Sequence, residues 1–306
     1  MQLGFIGLGT MGGWMALNAR KGGYAMKVHD LKRDIAKPQL EAGATWAASA
    51  AEAARDVDVL LTSLPGPREV QAVAEQVLPA MKRGAAWCDL STNSPTVVRA
   101  LHARAAERGI ALLDAPVSGG PAGAKSGQLA LWVGGERAVF DRCKPVLDAI
   151  GDQVLYIGDV GAGSVAKLVH NCAGYAMQLA LAEVFTVGVK AGVDPLSLWA
   201  AIRQGALGRK RSFDRLGDQF LQGKFDPPNF ALALAHKDIT LATELGREVG
   251  VPMRMANLTY AEMTEALNRG WQGRDSRSYL IIQQERAGLD IKVPVEDVRK
   301  VLERDG

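Results

Sequence analysis

Cysteine, long apolar runs and any excess of one charge are all scarce in this chain of 306 residues. Its three cysteines, Cys88, Cys143 and Cys172, are odd in number and lack the spacing of a disulfide framework or a metal site. Buried thiols in a reduced, cytoplasmic setting are expected, with no structural metal. Lys and Arg number 36 against 33 Asp and Glu, a net charge of +3, and both signs are interspersed along the chain. No basic nucleic-acid surface or acidic tail stands out. Every apolar run is strand-sized or smaller, far from the roughly 18 residues of a membrane span. No charge precedes Arg20, yet that stretch has no basic flank and glycines interrupt it, which argues against an export signal. The expectation is a soluble chain with neither nucleic-acid nor membrane partners.

What is present is ordinary for a globular protein: 48% hydrophobic and 23% charged residues. At roughly 100–200 residues per domain, the length suggests two domains. Up to about residue 160 the hydrophobic period alternates between strand and helix. Strands are expected at Gln2–Ile6, Ala25–His29, Val57–Leu61, Ala85–Asp89, Ile110–Asp114 and Gln128–Val133. Helices are expected at Thr10–Arg20, Arg33–Glu41, Arg68–Met81, Pro95–Arg108 and Arg137–Ala149. Such alternation predicts an α/β fold with a parallel sheet covered on both faces. Glycines cluster at Gly158–Gly163, and beyond them the period is helical throughout. The expected helices are Ser164–Ala191, unusually long, then Pro195–Gln204, Phe213–Leu221, Ala235–Val249 and Met255–Arg269. The division is therefore a Rossmann-type domain over 1–160 and an all-α domain over 161–306, begun by a long interdomain helix.

Gly7-Leu8-Gly9-Thr10-Met11-Gly12 fits G-x-G-x-x-G. Its context, after a strand and opening a helix, with Asp30 ending the next strand, is that of a dinucleotide-binding turn. Gly7 permits the tight turn, Gly9 lets backbone approach a pyrophosphate, and Gly12 lets helix and strand pack closely. The helix start then offers free N–H groups to the phosphates. Asp30 suits a ribose 2′-hydroxyl and repels a 2′-phosphate, which favours NAD over NADP. Lys32 and Arg33 stand beside it and could attract that phosphate, or could simply be solvated charges at a helix start.

Three further segments complete the pattern. They are Asp114-Ala115-Pro116-Val117-Ser118-Gly119-Gly120-Pro121, Gly161-Ala162-Gly163-Ser164-Val165-Ala166-Lys167-Leu168-Val169-His170-Asn171, and Lys237-Asp238. With the glycine turn they resemble the β-hydroxyacid dehydrogenases, a family that includes 3-hydroxyisobutyrate dehydrogenases and tartronate semialdehyde reductases. The resemblance spans essentially the whole chain. It implies hydride transfer between a nicotinamide cofactor and a small 3-hydroxyacid, 3-hydroxyisobutyrate-like or a semialdehyde or doubly anionic relative. It further implies that Lys167 is the acid/base, Asn171 holds the substrate beside it, and Ser118, Gly119 and Gly120 bind the substrate carboxylate. Thr92 would neighbour the nicotinamide, Leu64 and Pro65 would line the cofactor, and Lys237 and Asp238 would close the site from the helical domain.

The residues themselves suit this chemistry. Lys167 and Asn171 are four apart, so on a helix they share a face. Oxidising an alcohol requires a group that takes the hydroxyl proton, and a lysine whose pKa is lowered by burial or a nearby cation can do so. Ser118 offers a hydroxyl donor and Gly119-Gly120 expose amides in a turn, a plausible anion nest. His170, beside Asn171, is read as a packing residue, and Trp199 and Trp271 as helix-packing aromatics.

One departure bears on substrate. Gly208-Arg209-Lys210-Arg211-Ser212-Phe213-Asp214 has no tryptophan where the resembled 3-hydroxyisobutyrate dehydrogenases carry one. Arg211 stands in that place and is a candidate for a second anionic group, the alternative being a solvated basic loop. An imine reductase shares the architecture by resemblance but usually has Asp or Tyr where this chain has Lys167. A non-catalytic nicotinamide-binding protein has no need of a lysine, an asparagine and a carboxylate nest together. The apolar later turns of the long helix suggest subunit contact, hence a homodimer or homotetramer.

Overall fold

The computed structural model describes residues 1–205, 208–210, 216–217, 219–250 and 252–304. The chain forms two compact units, Met1–Val169 and His170–Gly306.

In the first unit, six strands lie parallel in the order β3-β2-β1-β4-β5-β6: β1 (Gln2–Ile6), β2 (Ala25–His29), β3 (Thr45–Trp46), β4 (Val59–Thr62), β5 (Ala86–Asp89) and β6 (Ala111–Asp114). This is the doubly wound order, whose connections reverse direction between β1 and β4. Ligands of such sheets bind beyond the carboxyl ends of the strands at that reversal. Side chains alternate between faces, and each face has its own core. Val59 and Leu61 of β4, Cys88 of β5 and Leu113 of β6 join one cluster with Leu3 and Phe5. Leu60, Trp87 and Leu112 join the other with Ile6. Sheets buried on both faces read as continuous apolar runs, which is why these strands could be located from the sequence.

The sheet is not wholly parallel. The strand expected at Gln128–Val133 forms as β8 (Ala130–Gly134) and pairs antiparallel with β6 and with β7 (Val117–Ser118), while β9 (Gln153–Gly158) pairs parallel with β8. Strand direction depends on the partner, and no local pattern encodes it.

The helices of this unit are α1 (Gly12–Lys21), α2 (Lys37–Glu41), α3 (Ala50–Ala54), α4 (Pro67–Val77), α5 (Pro95–Ala106), α6 (Gly120–Ser126) and α7 (Arg137–Asp148). The helix expected over Arg33–Glu41 is split, with a 3-10 turn at Arg33–Ala36 preceding α2. Pro38 lies in the first turn of α2, where its missing N–H costs nothing.

The long helix α8 spans Ala162–Lys190, and the division between the units falls within it, after Val169. In the second unit α9 (Pro195–Gln204) is capped by Asp194, whose carboxylate accepts the Ser197 amide at 2.8 Å, with Pro195 opening the helix. Helices Leu232–Glu248 and Arg254–Asn268 follow, then the shorter Ile281–Ala287 and Val295–Arg304. Trp199 is fully buried in this unit, as are Phe220, Leu232 and Ile239. Of the helix expected over residues 213–221, residues 213–215 and 218 lie outside the described residues; 216–217 are helical and 219–221 form a turn. Among the described residues no helix is long and apolar enough to cross a membrane, and Cys88, Cys143 and Cys172 are buried free thiols.

Candidate active site

The glycine turn lies between β1 and α1, at the reversal point of the sheet. Gly7 has φ +92°, and a Cβ there would come within 2.2 Å of the Ser63 carbonyl oxygen. A Cβ on Gly12 would sit 1.9 Å from the Gly7 carbonyl oxygen, so the close approach of helix to strand depends on glycine at both ends. Gly9 differs, because a Cβ there would meet nothing within 4 Å. Its glycine is not needed by the protein's own packing, and the space it leaves suits an incoming pyrophosphate. No side chain caps α1 and no acidic residue occupies its first turn, so its dipole and amides face that space. Leu8, Thr10 and Met11 complete the turn, with Thr10 exposed.

Asp30 directly follows β2, with both oxygens engaged. Its Oδ2 accepts the Leu8 amide at 2.8 Å and its Oδ1 the Lys32 amide at 3.0 Å. The carboxylate thus clamps the glycine turn to the next strand while retaining lone pairs for a ribose hydroxyl. Lys32 and Arg33 are exposed, and the Arg33 guanidinium stands 5.9 Å from the Trp46 ring centre.

Beyond β4 and β5 lies a buried polar network that gave no sequence signal. Asp89 accepts from the Thr62 hydroxyl at 2.9 Å, the Asn93 side-chain amide at 2.9 Å and the Ser91 amide at 3.2 Å. Trp87 donates to Thr62, and the Leu64 amide donates to the Ser91 hydroxyl at 2.9 Å. Burial pushes the Asp89 carboxyl above its ordinary range, against the pull of Ser91, Asn93 and Thr62. The network ties the Leu64-Pro65 segment to the Ser91–Ser94 loop, which presents a half-buried Thr92 between two anchored neighbours.

Ser118, Gly119 and Gly120 leave β7 as a half-buried serine and two exposed glycines. Gly119 at φ +135° and Gly120 at φ +63° adopt backbone conformations that side chains disfavour, turning the chain directly into α6. Asn18 of α1 donates to the Ala124 carbonyl at 2.8 Å, which packs the helix of the nucleotide turn against α6. Lys167 is half-buried on α8, whose first turn is held by Asp114 at the end of β6. That carboxylate accepts the Gly161 and Ser164 amides, each at 2.7 Å.

In the second unit Asn171 donates through Nδ2 to Asp238 Oδ2 at 2.7 Å. The Tyr175 hydroxyl donates to the same oxygen at 3.3 Å, and Lys237 Nζ stands 2.9 Å from Oδ1. Asp238 is 1% exposed, so its carboxylate serves these neighbours. His170, read from sequence as a packing residue, is instead exposed, with Nδ1 3.0 Å from Asn171 Oδ1. Val169 and His170 form the exposed stripe of this turn, between buried Leu168 and half-buried Asn171. Arg211 lies outside the described residues. Asp238→Ala is expected to destabilise the fold by about 1–3 kcal/mol, because buried donors lose their acceptor. If Asn171 holds the substrate, it should also lower kcat/KM roughly tenfold or more by releasing that side chain. Thermal melts and steady-state kinetics check both.

Two family models match the chain. One, described as the NAD binding domain of 6-phosphogluconate dehydrogenase, covers residues 2–158. The other, described as the NAD-binding domain of NADP-dependent 3-hydroxyisobutyrate dehydrogenase, covers residues 161–282. The chain is 34% identical over 295 residues to a 2-(hydroxymethyl)glutarate dehydrogenase of Eubacterium barkeri, covering 95% of this chain and 97% of the relative. It is 32% identical over 282 residues to an NAD-dependent L-serine dehydrogenase of Pseudomonas aeruginosa, covering 90% and 95%. Among solved structures, the 3-hydroxyisobutyrate dehydrogenase of Mycobacterium tuberculosis with L-serine superimposes with a TM-score of 0.82 at 28% identity, covering 92% and 99%.

Proposed function

The chain belongs to the β-hydroxyacid dehydrogenase family, NAD(P)-dependent enzymes acting on CH–OH groups, and we propose that it oxidises a 2-substituted 3-hydroxypropanoate with Lys167 as acid/base. The observation that carries this reading is the joint at Asp114. The strand that leads into the Ser118–Gly120 loop and the helix that carries Lys167 meet at one carboxylate. A carboxylate binder and a proton carrier built from one joint suit a substrate with an acid at one end and a hydroxyl nearby.

When bound, the nicotinamide supplies hydride acceptance or donation at the substrate carbon. The remaining tasks fall to side chains. The Ser118 hydroxyl and the Gly119 and Gly120 amides hold the substrate carboxylate. Lys167, as the neutral amine, takes the hydroxyl proton in oxidation; as the ammonium, it returns a proton to the carbonyl oxygen in reduction. The positive form also stabilises developing charge on that oxygen. Asn171 spends one Nδ2 hydrogen on Asp238 and keeps the other for the substrate. In this reading Asp238 acts through Asn171, and Lys237, Leu64, Pro65 and Thr92 are assigned to the cofactor. Residues 1–160 serve as the dinucleotide domain and 161–306 as the substrate and oligomerisation domain, in a homodimer or homotetramer. NAD is favoured over NADP because the Asp30 carboxylate would face the 2′ position.

The names of the relatives narrow the substrate. Hydroxymethylglutarate, serine and 3-hydroxyisobutyrate share a HOCH2–CH–COO⁻ unit and differ in the third substituent: a propionate arm, an ammonium or a methyl. The present chain would recognise that unit through Ser118–Gly120 and Lys167. Arg211, in place of a tryptophan, favours an anionic substituent. The test is a panel of such acids and their semialdehydes with NAD(H) and NADP(H). A doubly anionic substrate is expected to be preferred with NAD, and Arg211→Ala should cost about tenfold or more in kcat/KM on it. Unchanged kcat/KM in that variant would remove Arg211 from the site.

A further inference from the structure

Helix α8 begins without a capping side chain of its own. The Gly161 carbonyl accepts the first helical bond, from the Val165 amide at 3.0 Å, so Gly161 is the residue before the helix, and it is a glycine. The third helical position is Ser164. In the usual reciprocal cap, a side chain at the first of these positions takes the amide of the second, and a side chain at the second takes the amide of the first. Here one group from another element does both. Asp114 Oδ1 accepts the Gly161 amide and Oδ2 the Ser164 amide, each at 2.7 Å. The carboxylate is 1% exposed and faces the positive end of the helix dipole.

The surroundings are shaped to admit it. A Cβ on Gly134 would come within 2.6 Å of Asp114 Oδ1, and one on Gly163 within 2.6 Å of the Asp114 carbonyl oxygen and 2.3 Å of the Trp132 carbonyl oxygen. Strand β8 and the first turn of α8 therefore close on Asp114 only because both carry glycine where they touch it. Asp89, its register partner on β5, is committed to Ser91, Asn93 and Thr62 and takes no part in this cap.

We propose that Asp114 is the positioning residue of the reaction: it sets the place of Lys167 relative to the carboxylate-binding loop. Ser164, whose amide it holds, lies three residues before Lys167, one turn away on the same side of the helix. Ser118 lies four residues after Asp114 on the same chain. Both groups that must meet one small substrate thus hang from a single carboxylate by short, directional links. A 3-hydroxyacid separates its carboxylate from its hydroxyl by two carbons, so a shift of the helix start moves the amine off the hydroxyl while the acid stays bound. Burial raises the Asp114 carboxyl above its ordinary range, against the pull of the Gly161 and Ser164 amides.

The proposal rests on Lys167 being the acid/base, and the test separates the two. Asp114→Asn keeps shape but can accept only one amide, and Asp114→Glu keeps both acceptors but displaces them by a methylene. Both are assayed with Lys167→Ala for kcat, for reduced-cofactor Kd by fluorescence, and for the primary isotope effect on substrate deuterated at the hydroxyl carbon. In a folded Asp114 variant kcat is expected to fall about 100-fold, with cofactor Kd within about twofold and a larger isotope effect as chemistry becomes limiting. Either folded variant with near wild-type kcat overturns the positioning role, even if its melting temperature falls. If Lys167→Ala keeps its activity, the acid/base reading fails and the proposal fails with it. If Lys167→Ala is inactive while the Asp114 variants turn over normally, only the positioning role is lost.

Discussion

Lys167→Ala is expected to lower kcat/KM for the best hydroxyacid by roughly 10³-fold or more, leaving reduced-cofactor Kd within about twofold. In the proposed reaction lysine has two tasks that alanine cannot perform. It would exchange a proton with the hydroxyl, and it would place positive charge beside an oxygen becoming anionic. Lys167→Arg should not restore the first, because a guanidinium stays protonated at any working pH. That variant separates the two tasks: recovery of binding without recovery of kcat assigns the loss to proton exchange. A small primary amine added to Lys167→Ala should restore part of the rate, since the missing side chain leaves room in a half-buried position. Full activity in Lys167→Ala, measured by cofactor absorbance, would remove the residue from the chemistry.

The second large effect contrasts two glycines of one turn. Gly9→Ala adds a methyl where nothing lies within 4 Å, so the melting temperature should hardly move, with a change within about 0.5 kcal/mol. Cofactor affinity should nevertheless drop. A methyl wedged against the pyrophosphate costs about 1–3 kcal/mol, roughly five- to 150-fold in Kd. Gly12→Ala should do both. Its Cβ would overlap the Gly7 carbonyl oxygen at 1.9 Å, so α1 must move away from β1 and stability falls with affinity. Calorimetry and cofactor titration on the two variants check the contrast. Normal cofactor affinity in Gly9→Ala would place the pyrophosphate elsewhere.

Local chemistry made much of this architecture legible. Strands β1 and β2 and helix α9 have the bounds expected of them, because apolar runs ended by glycine and an Asp-Pro helix start are strong local signals. Two-residue β3 and five-residue α3 went unseen, since so few residues carry no period. The Gly-Gly-Pro sequence after Ser118 reads as a plain turn, yet it opens α6, because packing against α1 supports a helix that propensity alone does not. The helices at Ile281–Ala287 and Val295–Arg304 were likewise not anticipated.

The amino-acid sequence by itself determined which groups are available: a glycine turn with an acid at the next strand end, a serine-glycine loop, and a lysine one helical turn ahead of an asparagine. Residue type, spacing and the period of burial are local properties, and they suffice to identify the family. Only the tertiary structure decided what each acid does. Asp89 gathers the loop around Thr92, Asp114 caps the lysine helix, and Asp238 holds Asn171. Apart from Ser91 and Asn93 beside Asp89, these partners lie 27 to 67 residues away along the chain, and the strand ends and helix faces that bring them together exist only after the sheet and the helices have packed. A buried carboxylate must find its donors in whatever the fold brings near, so its role is written in the packing and not in its neighbours along the chain.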